Sequence, residues 1–134
     1  MGMYTEIFFR ANIKADAPII PLLETWVNDR NQLWNPERSE LPHHELFDTP
    51  RWDSLAGNDD AYFPHAYGSS FYKNDYGPGY TLALHCTLKN YLSEIGLFFD
   101  WIDEHVNESQ GVFLGHEIYE DAPPGTPPLA YFKR

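Results

Sequence analysis

The N-terminal segment alternates regularly between apolar and polar side chains. In "YTEIFFRANIK", Ile7, Phe9, Ala11 and Ile13 are separated by polar residues. A period of two predicts a β-strand with one buried face. Phe8 departs from the pattern, because it places an aromatic ring among the polar positions.

The next segment, "DAPIIPLLETWVND", changes to helical spacing. Asp16 can cap a helix with Pro18 in its first turn. Pro21 favours a regular helix that begins only at that residue, because proline cannot donate a backbone hydrogen bond. The predicted buried positions are Ile19, Leu22, Leu23, Trp26 and Val27.

A second helix is predicted in "SEIGLFFDWIDEHV". Either Asn90 or Ser93 can start it, since both side chains cap helices well. The core stripe that the spacing predicts consists of Leu92, Ile95, Phe99, Ile102 and Val106.

Four further segments have the character of strands. The run "AYFPHAYGSSFYKNDY", broken by Pro64 and Gly68, turns at "GPG" into "YTLALHCTLKNY". In the latter, one face carries Tyr80, Leu82, Leu84, Cys86 and Leu88, and the other carries Thr81, Ala83, His85, Thr87 and Lys89. The last two strands are "GVFLGHEIYED" and "LAYFKR", separated by the turn "APPGTPP".

The resulting order is strand, helix, strand, strand, helix, strand, strand. This order predicts a single α+β domain over residues 1–134, with a ferredoxin-like (split βαβ) antiparallel sheet and an extra C-terminal strand. Right-handed crossovers place both helices on one face of the sheet. The long connection 28–60 contains one short predicted helix, capped by Asp48 and ended by Gly57, with Trp52, Leu55 and Ala56 buried.

The sheet face away from the helices is the predicted binding surface. Arg10, His85 and Glu117 are expected side by side there, with Phe8 and Tyr119 as aromatic walls. Arginine offers a donor fork for phosphate or carboxylate, and aromatic rings stack on flat ligands. The candidate ligand-binding residues are Phe8, Arg10, Trp52, His85, Thr87, Glu117 and Tyr119.

Two alternatives to this surface remain open. If the fourth strand is shifted by one residue, His116 replaces Glu117 on the face, because a one-residue slip exchanges the two faces of a strand. The polar residues can also be a cross-strand ion pair and a histidine beneath the long loop, with no ligand.

Composition narrows the class of partner. The net charge is −11 and hydrophobic residues make up 43% of the chain, which indicates a packed domain that repels nucleic acid and anionic membranes. The charge suits a basic partner protein, or mimicry of a polyanion. No apolar run approaches the roughly 20 residues that a bilayer requires, and no signal peptide is recognisable. We therefore expect a cytoplasmic protein, and the sequence leaves its oligomeric state open, a homo-oligomer included.

The segment "LPHHELFDTPRWD" is the one stretch that suggests metal chemistry. His44 and Glu45 resemble the start of a zincin helix, but Asp48 stands where the second histidine is required. The sequence therefore favours a loop, and we expect no tightly bound zinc and no cofactor. Cys86 is the only cysteine, and its strand position predicts an inert buried thiol.

The runs "MGMYTE" and "LPHHELFDTPRW" and the helix end "DWI" resemble a group of small proteins encoded by phages and other bacterial mobile elements. The resemblance extends over most of the chain. It implies a short accessory protein that acts in a bacterial cytoplasm during infection. Small acidic proteins of this kind often work by binding, for instance as antagonists of host defence. The resemblance assigns no functional residues.

Three functions are consistent with these features. The first is a phage-type accessory protein that sequesters a small anionic, nucleotide-like ligand without catalysis. The second is an acidic antagonist of a host defence protein. The third is a metal-dependent hydrolase that uses His43, His44 and one further ligand.

Overall fold

An antiparallel sheet forms the centre of the protein. The computed structural model describes residues 4–29, 34–56 and 68–134. Five strands pair in the order β2-β3-β1-β4-β5, and every pairing is antiparallel. The strands are β1 (Thr5–Ile13), β2 (Ser70–Lys73), β3 (Tyr80–Leu88), β4 (Phe113–Tyr119) and β5 (Leu129–Phe132). The protein is therefore an α+β protein, and β1 lies between β3 and β4 as predicted.

The first helical segment is short because of its proline. Helix α1 (Ile20–Leu23) continues into a π-helical turn, Glu24–Asp29. Ile19 occupies the N-cap position without a side-chain hydrogen bond, so the prediction that Asp16 caps this helix is wrong. Pro21 lacks an N–H and its ring crowds the preceding turn. The helix consequently starts beside Pro21, as the proline predicted.

Helix α2 (Glu94–Ile102) is followed by the 3₁₀ turn Asp103–His105. Ser93 has a left-handed backbone conformation with φ of 59°, and the Asn90 Oδ1 accepts a hydrogen bond from the backbone N of Ile95 at 2.9 Å. Because the chain reverses at Ser93, helical spacing starts only at Glu94. Leu92 is therefore exposed rather than buried as predicted, and Glu94 is buried instead.

Both helical segments pack on the same face of the sheet. The Trp26 and Trp101 rings lie 6.5 Å apart, and the Phe9 ring of β1 meets the Phe98 ring of α2 edge-on at 5.1 Å. These residues belong to one cluster of buried hydrophobic residues. No helix within the described residues is both long and apolar enough to cross a bilayer.

The long connection also packs on the helix side of the sheet. Its described residues 34–56 form three 3₁₀ turns, at Arg38–Glu40, Glu45–Asp48 and Trp52–Ala56, and they bury Leu46, Leu55 and Ala56. The thiol of Cys86 donates to the carbonyl oxygen of Leu55 at 3.2 Å, and Cys86 is fully buried as predicted.

Asp48 does not start a helix, contrary to the prediction. Its Oδ1 accepts a hydrogen bond from Arg38 Nε at 2.7 Å. The carboxylate therefore connects two turns of the long connection. The helix expected over 48–57 is reduced to the 3₁₀ turn Trp52–Ala56. Its predicted end, Gly57, lies outside the described residues, as does Pro64.

The sheet face away from the helices is called the open face below. No helix among the described residues packs against it. Cross-strand pairing places these residues on it: Glu6, Phe8, Arg10 and Asn12 from β1; Thr81, Ala83, His85 and Thr87 from β3; Ser70 and Tyr72 from β2; Phe113, His116 and Ile118 from β4; and Ala130 and Phe132 from β5.

Candidate functional site

A row of three rings crosses the middle of the open face. Phe8 pairs with His85 on one side and with His116 on the other. The Phe8 ring meets the His85 ring edge-on, with centroids 5.8 Å apart. It stacks on the His116 ring at 5.5 Å with an interplanar angle of 22°. Three adjacent strands thus present one continuous aromatic surface.

A β-bulge determines which residues of β4 join this row. Phe113 pairs with Phe132 and Gly115 pairs with Tyr131, so Leu114 is an extra residue in β4. An unpaired residue shifts the alternation of side chains by one position. Phe113 therefore lies near His116, with their ring centroids 6.3 Å apart, although the two are three residues apart in sequence.

Because of the bulge, two predicted site residues lie on the opposite face of the sheet from the one expected. Glu117 pairs with Ile7 and Tyr119 pairs with Thr5, so both belong to the helix side of the sheet rather than to the open face. His116 occupies the place expected for Glu117, which is the alternative that a one-residue slip allows.

Glu117 belongs instead to a polar contact beside the start of α2. Its Oε2 accepts a hydrogen bond from Asn90 Nδ2 at 3.4 Å. Burial raises the pKa of the Glu117 carboxyl, and a hydrogen bond from Tyr131 partly offsets this. Burial and the neighbouring Glu117 carboxylate raise the pKa of Tyr131 to about 12. The arrangement links β4, β5 and α2, and it lies away from the open face.

Trp52 is also misplaced by the sequence prediction. Its ring lies 5.2 Å from that of Trp26 and 5.1 Å from that of Phe47. Both partners are buried on the helix side. Trp52 therefore anchors the long connection to the helices and cannot line a site on the opposite face.

A groove lies at one end of the open face. Its volume is about 350 Å³. It is lined by Phe8, Arg10, Ala11, Asn12, Thr81, Glu108, Phe113 and Leu114. The side chain of Arg10 is exposed there, and no other described residue forms a hydrogen bond or ion pair with it. The groove thus combines an accessible guanidinium with two aromatic rings.

Hydrogen bonds fix the polar side of this groove. Glu108 Oε2 accepts from the backbone N of Asn12 at 3.0 Å and from Asn12 Nδ2 at 3.1 Å. Thr81 Oγ1 donates to Asn74 Oδ1 at 2.6 Å. These bonds hold Asn12 and Thr81 in place before any ligand arrives. They also hold the carboxylate of Glu108, which shares the lining of the groove with Arg10.

Glu108 was not identified from the sequence. It follows α2 in the polar run "HVNESQG", which shows neither period nor motif. Its position depends on the pairing of Val106 with Ile13 and on a hydrogen bond from Asn107 N to the Asn12 carbonyl oxygen at 2.8 Å. Such contacts between distant segments leave no local signal.

The remaining predicted residues share the open face without lining the groove. His85 Nε2 lies 3.6 Å from Glu6 Oε2, and Thr87 pairs with Glu6 across the strands. The structure therefore brings Phe8, Arg10, His85 and Thr87 onto one face. Of these, Phe8 and Arg10 reach the groove.

The histidine-rich loop has a structural role at His44. The Nδ1 atom of His44 accepts a hydrogen bond from the backbone N of Leu46 at 3.0 Å. Its Nε2 lies 2.8 Å from Asp100 Oδ2. The hydrogen bond with His44 holds the pKa of the Asp100 carboxyl below its usual value, together with Arg134 and against a smaller effect of burial. His44 thus connects the loop to α2.

A metal-binding cluster is not seen in the part of the chain that the structure describes. Within those residues, no group of three or more histidine, cysteine, aspartate or glutamate side chains is arranged to hold an ion. A hydrolase that uses His43 and His44 would need a further ligand close to both. The described geometry does not supply that ligand.

Known proteins offer no template for the groove. Comparison finds no matching family model, no matching curated protein and no matching solved structure.

Proposed function

We propose that this protein is a non-enzymatic binding protein that sequesters a small anionic, nucleotide-like ligand on the open face of its sheet. The observation that carries the proposal is the exposed guanidinium of Arg10 in a groove with aromatic walls. A guanidinium binds phosphate or carboxylate through two parallel hydrogen bonds. Phe8 and Phe113 supply surface on which a flat ring can stack.

The size and rigidity of the groove support a small ligand. Its volume of about 350 Å³ lies near the lower end of the roughly 300–1,000 Å³ that is typical of small-molecule sites. Because hydrogen bonds already hold Asn12 and Thr81, Arg10 is the main polar side chain of the groove that must be ordered on binding. Preorganisation of this kind favours affinity.

The biological setting proposed is that of a phage-type accessory protein acting against host defence in the bacterial cytoplasm. Its support is the sequence resemblance to small proteins of phages and mobile elements. A nucleotide-like defence signal has the charge and the flat ring for which the groove is suited. Native mass spectrometry of protein purified from infected or signalling-competent cells tests this directly, because a sequestered signal co-purifies with the folded chain.

We also propose that the fold is ferredoxin-like, with β5 added at the sheet edge. The order β2-β3-β1-β4 and the packing of both helices against one face support this assignment. In such a fold the face without helices is available for binding.

Replacing Arg10 by alanine should weaken binding of the ligand by about 1.5–3 kcal/mol, the range for hydrogen bonds to charged groups. Titration calorimetry with the co-purified ligand, or with a panel of nucleotides and cyclic dinucleotides, measures this change. Lys73→Ala is the matched control, because Lys73 is an exposed cation that does not line the groove. A folded Arg10→Ala variant with unchanged affinity would eliminate the groove as the site.

Replacing Glu108 by glutamine should strengthen binding of the same anion by about two- to five-fold, the scale of one partly exposed charge interaction. The amide oxygen of glutamine can still accept from Asn12, so the groove keeps its shape while one negative charge is removed. Glu37→Gln makes the same charge change at an exposed position outside the groove lining and should have no effect. Weaker binding by Glu108→Gln would contradict a ligand held mainly through its negative charge.

A second candidate function is the binding of a partner protein by the open face. The observation that favours it is a set of exposed apolar side chains there: Tyr72, Phe113, Ile118 and Phe132. Such exposed patches typically mark interaction sites. A basic host defence protein fits the net charge of −11, and its binding should weaken steeply with added salt.

Phe132→Ala should weaken the binding of a partner protein without changing the affinity for a nucleotide, because Phe132 does not line the groove.

A further inference from the structure

A second cleft lies on the helix side of the protein, away from the groove. It opens between the start of α1, residues 40–43 of the long connection, and the end of α2. Its volume is about 420 Å³. Its lining includes Ile19, Leu22, Leu41 and Trp101 on the apolar side and Glu40 and Glu104 at the rim. We call it the helix-side cleft.

The floor of the helix-side cleft is apolar. Ile19, Leu41 and Trp101 are buried members of the core, and Leu22 packs against them while remaining partly exposed. Burial of apolar surface against such a floor stabilises a bound hydrocarbon or aromatic body.

The rim of the helix-side cleft is acidic. The carboxylates of Glu40 and Glu104 are both exposed, and the C-terminal end of α2 lies beside Glu104. A helix C-terminus carries partial negative charge and favours cations. The net charge of −11 adds a long-range attraction for positively charged ligands.

The basic side chains near the cleft are either uncharged or already bonded to other groups. Burial lowers the pKa of His105, an effect that Lys14 assists and Glu104 opposes, so His105 is largely uncharged at neutral pH. Two cations compete with a bound ammonium: Lys14, whose Nζ donates to the carbonyl oxygen of Glu104 at 2.9 Å, and Arg38, whose Nη1 donates to the carbonyl oxygen of Pro42 at 2.9 Å. Arg38 is already paired with Asp48 at 2.7 Å. The ammonium of Lys14 is thus directed to the backbone, while the Glu104 carboxylate is 3.4 Å from His105 Nε2.

We propose that the helix-side cleft binds a small organic amine, with its apolar body on Leu22, Leu41 and Trp101 and its ammonium between Glu40 and Glu104. The apolar floor selects for hydrocarbon or aromatic character. The acidic rim selects for positive charge over neutral or anionic analogues. This site is separate from the groove at Arg10 and has the opposite charge preference.

Titration with tryptamine tests the proposal, with 3-methylindole as the neutral analogue and indole-3-propionate as the anionic one. Saturable binding is expected for tryptamine, with weaker binding for 3-methylindole and the weakest for indole-3-propionate. Glu40→Gln and Glu104→Gln should each weaken tryptamine binding by about two- to five-fold, as for one exposed ion pair. Glu37→Gln and Arg10→Ala should leave it unchanged.

A third variant tests the floor. Leu22→Arg places a cation at the apolar surface and should abolish tryptamine binding, while thermal denaturation checks that the protein remains folded. Three results would overturn the proposal: no saturable binding of tryptamine, equal binding of 3-methylindole, or full affinity in a folded Glu40→Gln, Glu104→Gln double variant. Each is independent of the groove, since nucleotide binding is measured separately with Arg10→Ala.

Discussion

Trp26→Ala is expected to lower the free energy of unfolding by about 3–5 kcal/mol, the range for removal of a large buried aromatic side chain. Trp26 is 1% exposed. Its ring contacts those of Trp52 and Trp101 at 5.2 and 6.5 Å, and its Nε1 donates to the carbonyl oxygen of Asp53 at 3.0 Å. One side chain therefore holds the first helical segment, the long connection and α2 together.

Urea denaturation followed by far-UV circular dichroism measures this loss. Trp26→Phe separates the two contributions, because phenylalanine keeps most of the apolar contact but cannot donate to Asp53. Trp34→Ala serves as a control, since Trp34 is only partly buried and should cost much less. A Trp26→Ala protein destabilised by no more than the Trp34→Ala protein would disprove the central role of Trp26.

Gly115→Ala is expected to destabilise the protein by about 3 kcal/mol or more, at the upper end of typical overpacking effects. A Cβ atom at this position would overlap the carbonyl oxygen of Phe8 and would lie 2.9 Å from the Cα of Phe9. Both neighbours are backbone atoms of the central strand, so neither can move aside without breaking the pairing of β1 with β4.

Gly96→Ala provides the matched comparison. Gly96 lies inside α2, and among the described residues a Cβ atom there meets the Tyr131 hydroxyl alone, at 3.6 Å, which is ordinary contact. Alanine is favoured over glycine in a helix by about 0.8–1.0 kcal/mol, so this variant should be as stable as the parent or more stable. Thermal denaturation of the Gly115→Ala and Gly96→Ala proteins measures the difference. A Gly115→Ala protein as stable as the parent would refute the close approach of β1 and β4 at Gly115.

Local periodicity was sufficient to predict the central strand and the helix-bearing face. The alternation in β1 predicted four buried residues, and all four are buried: Ile7, Phe9, Ala11 and Ile13. The strand order also followed from the order of elements along the chain, because right-handed crossovers leave few arrangements. Phe8 and Arg10 were therefore placed correctly on the open face.

The site predictions failed where distant contacts override local pattern. Glu117 and Tyr119 were misplaced because Leu114 is bulged, and the alternation of "VFLGHEIY" does not mark the unpaired residue. Gly115 was the available signal, since a lone glycine inside a strand often indicates a bulge or a close backbone approach.

The start of α2 shows the same limit. Leu92 fits the apolar spacing, yet Glu94 is the buried residue, with Arg51 Nη1 3.9 Å from its Oε2. No hydrogen bond to that oxygen is seen within the described ranges. A carboxylate buried beside an arginine from the long connection cannot be deduced from helical periodicity.

The tryptophans lie on one side of the sheet, so the two sides of the protein differ in intrinsic fluorescence. All four tryptophans, Trp26, Trp34, Trp52 and Trp101, lie on the helix side, where their rings form a chain of contacts. None lines the groove, whereas Trp101 lines the helix-side cleft. Intrinsic fluorescence should therefore remain constant when an anion binds at Arg10 and change when an amine enters beside Trp101.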